Sequence, residues 1–366
     1  MTFLFTSHLS FVCRLSSLNI AQCCIEATRG KTNTIDVTTL GLSDVCMVIP
    51  YTFQMRLHRL FGIALLLCLI CGLFSASISA QDAAWQNALA DWRAQQAVEL
   101  QRPDGWLALV GLEWLQPGDN SFGSAPDNKI HLLVGAPPHL GILRLDGVTI
   151  TLRPPPGGFP EGFLIDGRPA EPQALDTSPD SDKNNPRLTI GSLNMYVIHR
   201  GDRYGLRIRD SKSAALSRFL GLKWFPPNAK YRVTARWIPY VPPRSTTLAT
   251  LIGTSYSQPV PGAAEFKLAG KTYRLEPVLE DPTEAKLFFI LRDTTSKTTT
   301  YGACRFLYTG FPERGLAQPG QLVLDFNRLE NPPCAYTTFA TCPLPPARNR
   351  LLIPLPVGEK RYHDKF

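Results

Sequence analysis

The stretch GILRLDGVTITLRPPPGGFPEGFLIDGR, residues 141–168, decides the fold class. Its short apolar runs (141–145, 148–152 and 162–165) are broken by Asp146-Gly147 and Asp166-Gly167. Asp-Gly between apolar segments predicts tight hairpins, because both residues tolerate the positive φ that a two-residue turn demands. The same rhythm spreads outward. Residues 106–112 and 129–134 precede it, and residues 188–199, 204–208 and 231–238 follow, with a polar, proline-bearing loop at 171–187. Pro239–Pro243 reads as a seam. Beyond it, residues 248–253, 264–268, 272–277, 286–291 and 322–326 again have strand composition, and 294–300 reads as a polar turn. Neither an internal repeat nor a βαβ alternation is visible, so the expected class is mainly β. Two packed antiparallel β lobes, sandwich- or barrel-like, are predicted over 105–240 and 241–366. A short N-terminal helix is predicted over 81–104. There Trp85, Leu89, Trp92, Gln96 and Leu100 recur near helical spacing, and Pro103-Asp104-Gly105 stops the pattern. Its aromatic residues read as a docking face.

The chain has 366 residues, 44% of them hydrophobic, which is enough for a sizeable core. Its net charge is +8, and residues 81–366 keep 33 basic against 27 acidic groups, interleaved rather than clustered. Nucleic-acid faces concentrate Lys and Arg in a stripe, so no nucleic-acid partner is expected. Residues 55–80 read as a signal peptide. Arg56, His58 and Arg59 start it, residues 60–74 are apolar or glycine, and small residues at 75–80 offer a cleavage site. The apolar run of 15 residues is short of the roughly 20 that span a bilayer. A periplasmic or secreted protein is therefore expected, an uncleaved N-terminal membrane anchor being the alternative. Residues 1–54 read as a disordered upstream extension foreign to the natural protein, with Met55 as the true start. Mass spectrometry of the native protein is expected to find no peptide upstream of Met55, and one such peptide would refute this start.

Of nine cysteines, only Cys304, Cys334 and Cys342 follow the expected cleavage site. In an oxidising compartment an odd count suggests one pair and one leftover. Cys334 and Cys342 lie within DFNRLENPPCAYTTFATCPLPPARNRLLIPLPVGEK, residues 325–360, where prolines and turn formers fix the path of the chain. A disulfide is the first reading, closing a loop for roughly 2–3 kcal/mol. Zinc ligation with Asp or Glu, or buried thiols, are the others. The segment holds neither C-x-x-C nor His, so no metal and no cofactor is expected. Asp325 and Asn327, two apart, either share a strand face open to a ligand or cap the turn at Asn331-Pro332-Pro333. Asp293, Tyr301, Arg305, Asn349, Arg350 and Glu359 either line a polar pocket with them or form a hydrogen-bonded network holding the proline-rich loop. Arg207 and Arg209 share a face of the strand at 204–210 and read as paired surface charges or as an anion site.

Nucleophile-elbow, phosphate-loop and HExxH motifs are absent from the sequence, and His131, His139, His199 and His363 have no metal-ligand spacing. FILRDTTSKTTTYGACRFLYT (289–309) and the run 322–360 strongly resemble the bacterial domain-of-unknown-function family DUF1684. The blocks GWLALVGLEWLQPGDNSFGS, VIHRGDRYGLRIRDS and FLGLKWFPPNAKYRVTAR are similar to earlier parts of that family, which has Gly where this chain has Cys304. The resemblance implies a domain over about residues 90–360 and no settled activity. A weaker likeness links GDNSFGSAPDNKIHL to the opening of forkhead-associated sandwiches, without the phosphothreonine-reading residues at Ser124 and His139. The expected function is binding of a small polar or anionic molecule, or a peptide, at the inter-lobe surface. The alternatives are a hydrolase-type enzyme using Asp325 and Glu359 as general acid and base, or a structural envelope protein.

Overall fold

The computed structural model describes residues 2–4, 10–14, 22–26, 46–48, 81–132, 135–177, 184–281 and 283–362. The chain forms two compact units, Met1–Ala84 and Trp85–Phe366. In the first, Thr2–Leu4 pairs in parallel with Cys46–Val48, and Ser10–Arg14 pairs antiparallel with Gln22–Glu26. These strands lie within 1–54, which the sequence reads as disordered. The signal segment expected at 55–80 lies outside the described residues. Among the described residues no helix is long and apolar enough to cross a membrane, which does not bear on spanning strands.

The second unit opens with helical residues, which end at 100, four residues short of the predicted stop. Leu89 and Leu100 are buried and Trp85, Trp92 and Gln96 half-buried, so the predicted stripe is the docking face. After the helix the chain folds back through Gly105. A Cβ at that position would lie 2.6 Å from Glu99 O, which explains the glycine.

The first lobe is a sandwich of two sheets. One runs, in spatial order, Arg168–Pro169, Leu164–Ile165, Leu188–Ile190, Leu193–Arg200, Arg203–Asp210 and Leu109–Trp114, antiparallel throughout. The other runs Gln173–Leu175, Thr149–Arg153, Gly141–Asp146, Gly118–Gly123 and Ile130–His131, the last pair parallel. Alternating side chains from both (Phe122, Leu143, Leu152, Met195, Leu206) fill one core. Both hairpins form, but at the first Asp146 pairs with Thr149 as the last strand residue, so the turn is Gly147-Val148, one residue later than read. At the second, Asp166 and Gly167 take φ of 49° and 78°, the conformation that selects those residues.

The second lobe joins a four-stranded antiparallel sheet, ordered Lys271–Leu275, Ser255–Leu268, Arg232–Ala249 and Gly320–Asp325, to the hairpin Lys286–Leu291 with Arg305–Gly310. Trp237, Phe266, Phe289 and Phe326 dominate its core. The seam read at Pro239–Pro243 is not a boundary. It lies inside the 18-residue strand Arg232–Ala249, at a register shift between Pro239 and Arg244. Proline removes ladder donors, so the strand tolerates the cluster by bulging rather than ending. The lobe thus begins near residue 232.

From Phe326 onward the chain wraps this lobe with short 3₁₀ turns (Phe326–Arg328, Pro333–Ala335, Ala347–Asn349) and isolated bridges. Glu359 bridges to Trp224, Glu330 to Phe306, and Pro343 to Thr250. Gly262 lets Trp237 approach the backbone: a Cβ there would sit 2.4 Å from the indole and 2.5 Å from Ile238 O. Gly262→Ala is therefore expected to destabilise by about 2 kcal/mol or more, read as a lower urea midpoint at unchanged m-value.

Candidate functional site

The buried cation Arg305 organises the predicted residues. Its strand carries it into the core, where its side chain is fully enclosed beside Asp293, Nη1 to Oδ2 3.2 Å. It also donates to the carbonyls of Leu355 (3.0 Å), Val357 and Glu359 (3.4 Å). Asp293 caps the turn Thr294–Lys297 by accepting from Thr295 N at 2.8 Å and Thr295 Oγ1 at 2.6 Å, and it accepts from Leu355 N at 3.1 Å. Burial lowers the Arg305 pKa, and the Asp293 carboxylate opposes that shift. Gly358 is needed at this crossing, since with φ at 75° a Cβ would lie 2.5 Å from Leu329 O and 2.8 Å from Arg305 Nη2.

Glu359 belongs to the same network, but it is only 1% exposed and cannot meet a substrate. Its carboxylate accepts from Tyr336 OH at 2.6 Å and Asn331 N at 2.8 Å. The other predicted residues are dispersed. Asp325 ends its strand and caps the turn Phe326–Arg328, accepting from Asn327 N at 3.1 Å, while its second oxygen accepts from Trp85 Nε1 at 2.7 Å. Asn327 is held by both backbone groups of Asn228. The two therefore cap and staple rather than share an open strand face. Asn349 ties the backbone of Glu276 to Ile290 O. Arg350 is exposed, and Tyr301 donates to Cys334 O at 3.0 Å.

Cys334 and Cys342 do come together, yet no bond joins them. Cys342 Sγ accepts from Cys334 N at 3.1 Å, so the expected disulfide is replaced by a buried thiol contact. Burial first, then the neighbouring sulfurs, pushes the Cys342 thiol far up. Cys304 is buried against Pro343 O at 3.5 Å, and its pKa is also raised by burial. None is thereby activated as a nucleophile. Among the described residues no group of three His, Cys, Asp or Glu could hold a metal ion.

A different set of residues forms an accessible site. Phe288 and Tyr308 are cross-strand partners stacked at 4.6 Å and 6°, and the bridge from Phe306 places Glu330 beside them. Tyr308 is 39% exposed, yet desolvation pushes its hydroxyl well above the ordinary phenol range, with Glu280 and Glu330 adding to the shift. Tyr308 thus belongs to one electrostatic cluster with Tyr256, Glu280 and Glu330. Tyr256 is pushed up to about 12 by burial and by Glu280, while Arg200 acts the other way. Arg200 comes from the first lobe and donates to Thr341 Oγ1 at 3.4 Å. Glu330 is half-buried, and desolvation first, then Glu359, raises it from 4.5 to about 8. With the Gln96 amide accepting from Trp92 Nε1 at 3.1 Å, its nitrogen donates to Glu330 Oε2 at 3.2 Å. Sequence reading missed these residues. A tyrosine in a strand and a glutamate before Asn-Pro-Pro carry no spacing signal until strand pairing brings them together.

Residues 217–360 match the family described as "Protein of unknown function (DUF1684)". The matched span starts well after residue 90, where the resemblance placed the domain's beginning. It includes Tyr256, Glu280, Tyr308 and Glu330. Among solved structures, the uncharacterized protein from gene locus rrnAC0354 of Haloarcula marismortui, determined by solution NMR, is 29% identical. That similarity covers 39% of this chain and 78% of that one, with a TM-score of 0.34. No curated protein matches.

Removing one partner of a buried pair strands the other charge, so Asp293→Ala is expected to cost about 3–5 kcal/mol in denaturant unfolding. A pH effect follows from Glu330 and Glu359, whose folded pKa values rise from 4.5 to about 8 and about 7. Their contribution is fully present below pH 4.5 and is lost as pH rises through those folded values, because only the fold then retains the protons. The melting temperature is expected to fall between pH 5 and 8, and Glu330→Gln should flatten that slope. A slope unchanged in the variant would refute the assignment.

Proposed function

We propose that this protein binds a small polar molecule at the cluster of Tyr256, Glu280, Tyr308 and Glu330, near Arg200 of the first lobe. The supporting observation is Tyr308, 39% exposed and stacked on Phe288, whose hydroxyl feels both Glu280 and Glu330. Ligand sites usually combine an apolar base with a few convergent polar groups. Here Phe288 supplies the apolar base. The raised pKa values keep Tyr256 and Tyr308 as hydroxyl donors at neutral pH. Glu280 and the neutral form of Glu330 add acceptors. Two carboxyl groups in the cluster favour a neutral hydroxyl-rich or cationic molecule over an anion. Export through the signal segment at 55–80 would place this activity in the periplasm or outside the cell.

The test is a thermal-shift screen of neutral sugars, amines and short peptides on the full chain. At least one class is expected to raise the melting temperature of the wild type. Glu280→Gln and Tyr308→Phe should remove the response while leaving the unliganded melting temperature within about 2 °C, since Glu280 is exposed and Phe keeps the stack on Phe288. A ligand response that survives both substitutions places binding elsewhere.

A second reading rests on Glu330. A half-buried carboxyl raised to about 8 is protonated at neutral pH, as a general acid must be. Hydrolase-type chemistry would then use Glu330 rather than Asp325 or Glu359, whose oxygens are engaged by Trp85 and Asn327 and by Tyr336 and Asn331. Glu330→Gln would abolish turnover of a bound ester or glycoside while leaving its binding intact.

A further inference from the structure

Two tryptophans and two arginines meet where the N-terminal helix docks. Trp92 and Arg93 are consecutive on the helix, Trp224 precedes the long strand of the second lobe, and Arg328 ends the turn that Asp325 caps. The indoles of Trp92 and Trp224 pack edge-on with centres 5.4 Å apart. The Arg93 guanidinium lies 4.9 Å from the Trp224 ring centre, and that of Arg328 lies 5.3 Å from the Trp92 ring centre. Both arginines are half-buried and make no hydrogen bond or ion pair among the described residues. A ring attracts the charge of a guanidinium but offers no acceptor lone pair to its N–H groups.

At Arg93 the unmet donors form a pattern. Its Nε and Nη2 are both buried and have no hydrogen-bond partner. These atoms are the side-on pair of the guanidinium, whose parallel N–H bonds match the two oxygens of a carboxylate. The neighbouring acid is already spent: Asp325 Oδ1 accepts from Asn327 N and Nδ2, and Oδ2 accepts from Trp85 Nε1 at 2.7 Å. Burial lowers the Arg93 pKa, and the Asp325 charge opposes that shift without supplying a bond. Glu330, held by Gln96, is protonated at neutral pH. Two guanidinium charges thus face one engaged carboxylate, and a two-donor fork is left unmet. Buried polar atoms without partners mark a place where something else completes the bonding.

We propose that the side-on fork of Arg93 binds the carboxylate of a small organic acid, with Arg328 adding positive charge and the Trp92–Trp224 pair walling the site. A carboxylate is favoured over phosphate because two parallel donors satisfy a planar two-oxygen group, whereas a phosphate presents a third oxygen that needs a donor of its own. Because both donors are enclosed, entry requires the helix to shift slightly on Asp325 and Glu330, where Trp85 and Gln96 hold it. The site uses none of Tyr256, Glu280 and Tyr308, so it stands or falls separately from the ligand proposed there.

Isothermal titration of the full-length protein with acetate, butyrate or inorganic phosphate, at ionic strength held constant with chloride, tests the proposal. At least one of the two carboxylates is expected to bind saturably, and phosphate more weakly than either. Arg93→Lys keeps the charge but has no fork, so it should weaken carboxylate binding about tenfold or more, as loss of a charged hydrogen-bonded pair requires. Arg328→Gln leaves the fork in place and removes a neighbouring charge, so it should weaken binding about threefold, and it serves as the test if Arg93→Lys does not fold. Arg102→Gln, at an exposed pair with Glu99 and Asp104, should leave binding unchanged, and so should Tyr308→Phe. Absence of saturable binding, equal affinity for phosphate, wild-type affinity in Arg93→Lys or in Arg328→Gln, or loss of binding in Tyr308→Phe would overturn the proposal.

Discussion

A guanidinium group in a protein core needs protein acceptors, and in this chain Asp293 and the C-terminal segment engage both terminal nitrogens of Arg305 while its Nε has no protein partner. Arg305 enters the second lobe from a strand and reaches Asp293 on one side and the carbonyls of Leu355, Val357 and Glu359 on the other. Those carbonyls belong to a proline-rich stretch with few ladder bonds of its own. The cation therefore replaces a sheet partner as the element that fixes the tail. At Gly358 the tail runs so close to Leu329 and the Arg305 side chain that a Cβ is excluded. Once fixed, the tail seals the lobe core with Leu355 and Val357.

The same anchoring sets the remaining geometry. Glu359, held by Tyr336 and Asn331, lies near Glu330 and raises its pKa, so a structural carboxylate tunes an accessible one. The N-terminal helix closes the arrangement from the other side. Trp85 bonds Asp325, Gln96 reaches Glu330, and Trp92 packs edge-on against Trp224 at 5.4 Å. Three segments far apart in sequence thus converge where the polar chemistry is concentrated. The first lobe contributes Arg200, whose charge acts on Tyr256.

Much of the fold was legible in the sequence. The Asp-Gly pairs marked hairpins because few other residues adopt positive φ in two-residue turns. The stripe from Trp85 to Leu100 marked a docked helix because its period is helical. The run at 286–291 was readable as a strand from composition alone. Pro239–Pro243 misled because proline clusters usually end strands, whereas here the ladder shifts register and continues. Cys334 and Cys342 were correctly read as neighbours, but proximity does not fix oxidation state, and the thiol instead accepts a backbone N–H.

The sequence by itself determined that the chain is mainly β, where its hairpins approximately fall, and which tail residues carry polar groups. Periodicity and backbone preference act over a few residues, and those signals are written locally. Only the tertiary structure decided that Arg305 meets Asp293 and the tail carbonyls while the Glu359 carboxylate meets Tyr336 and Asn331, and that Tyr256, Glu280, Tyr308 and Glu330 cluster together. That division depends on which side chains strand pairing and the returning tail bring face to face. Desolvation likewise belongs to the assembled surroundings of a group, not to the residue that carries it.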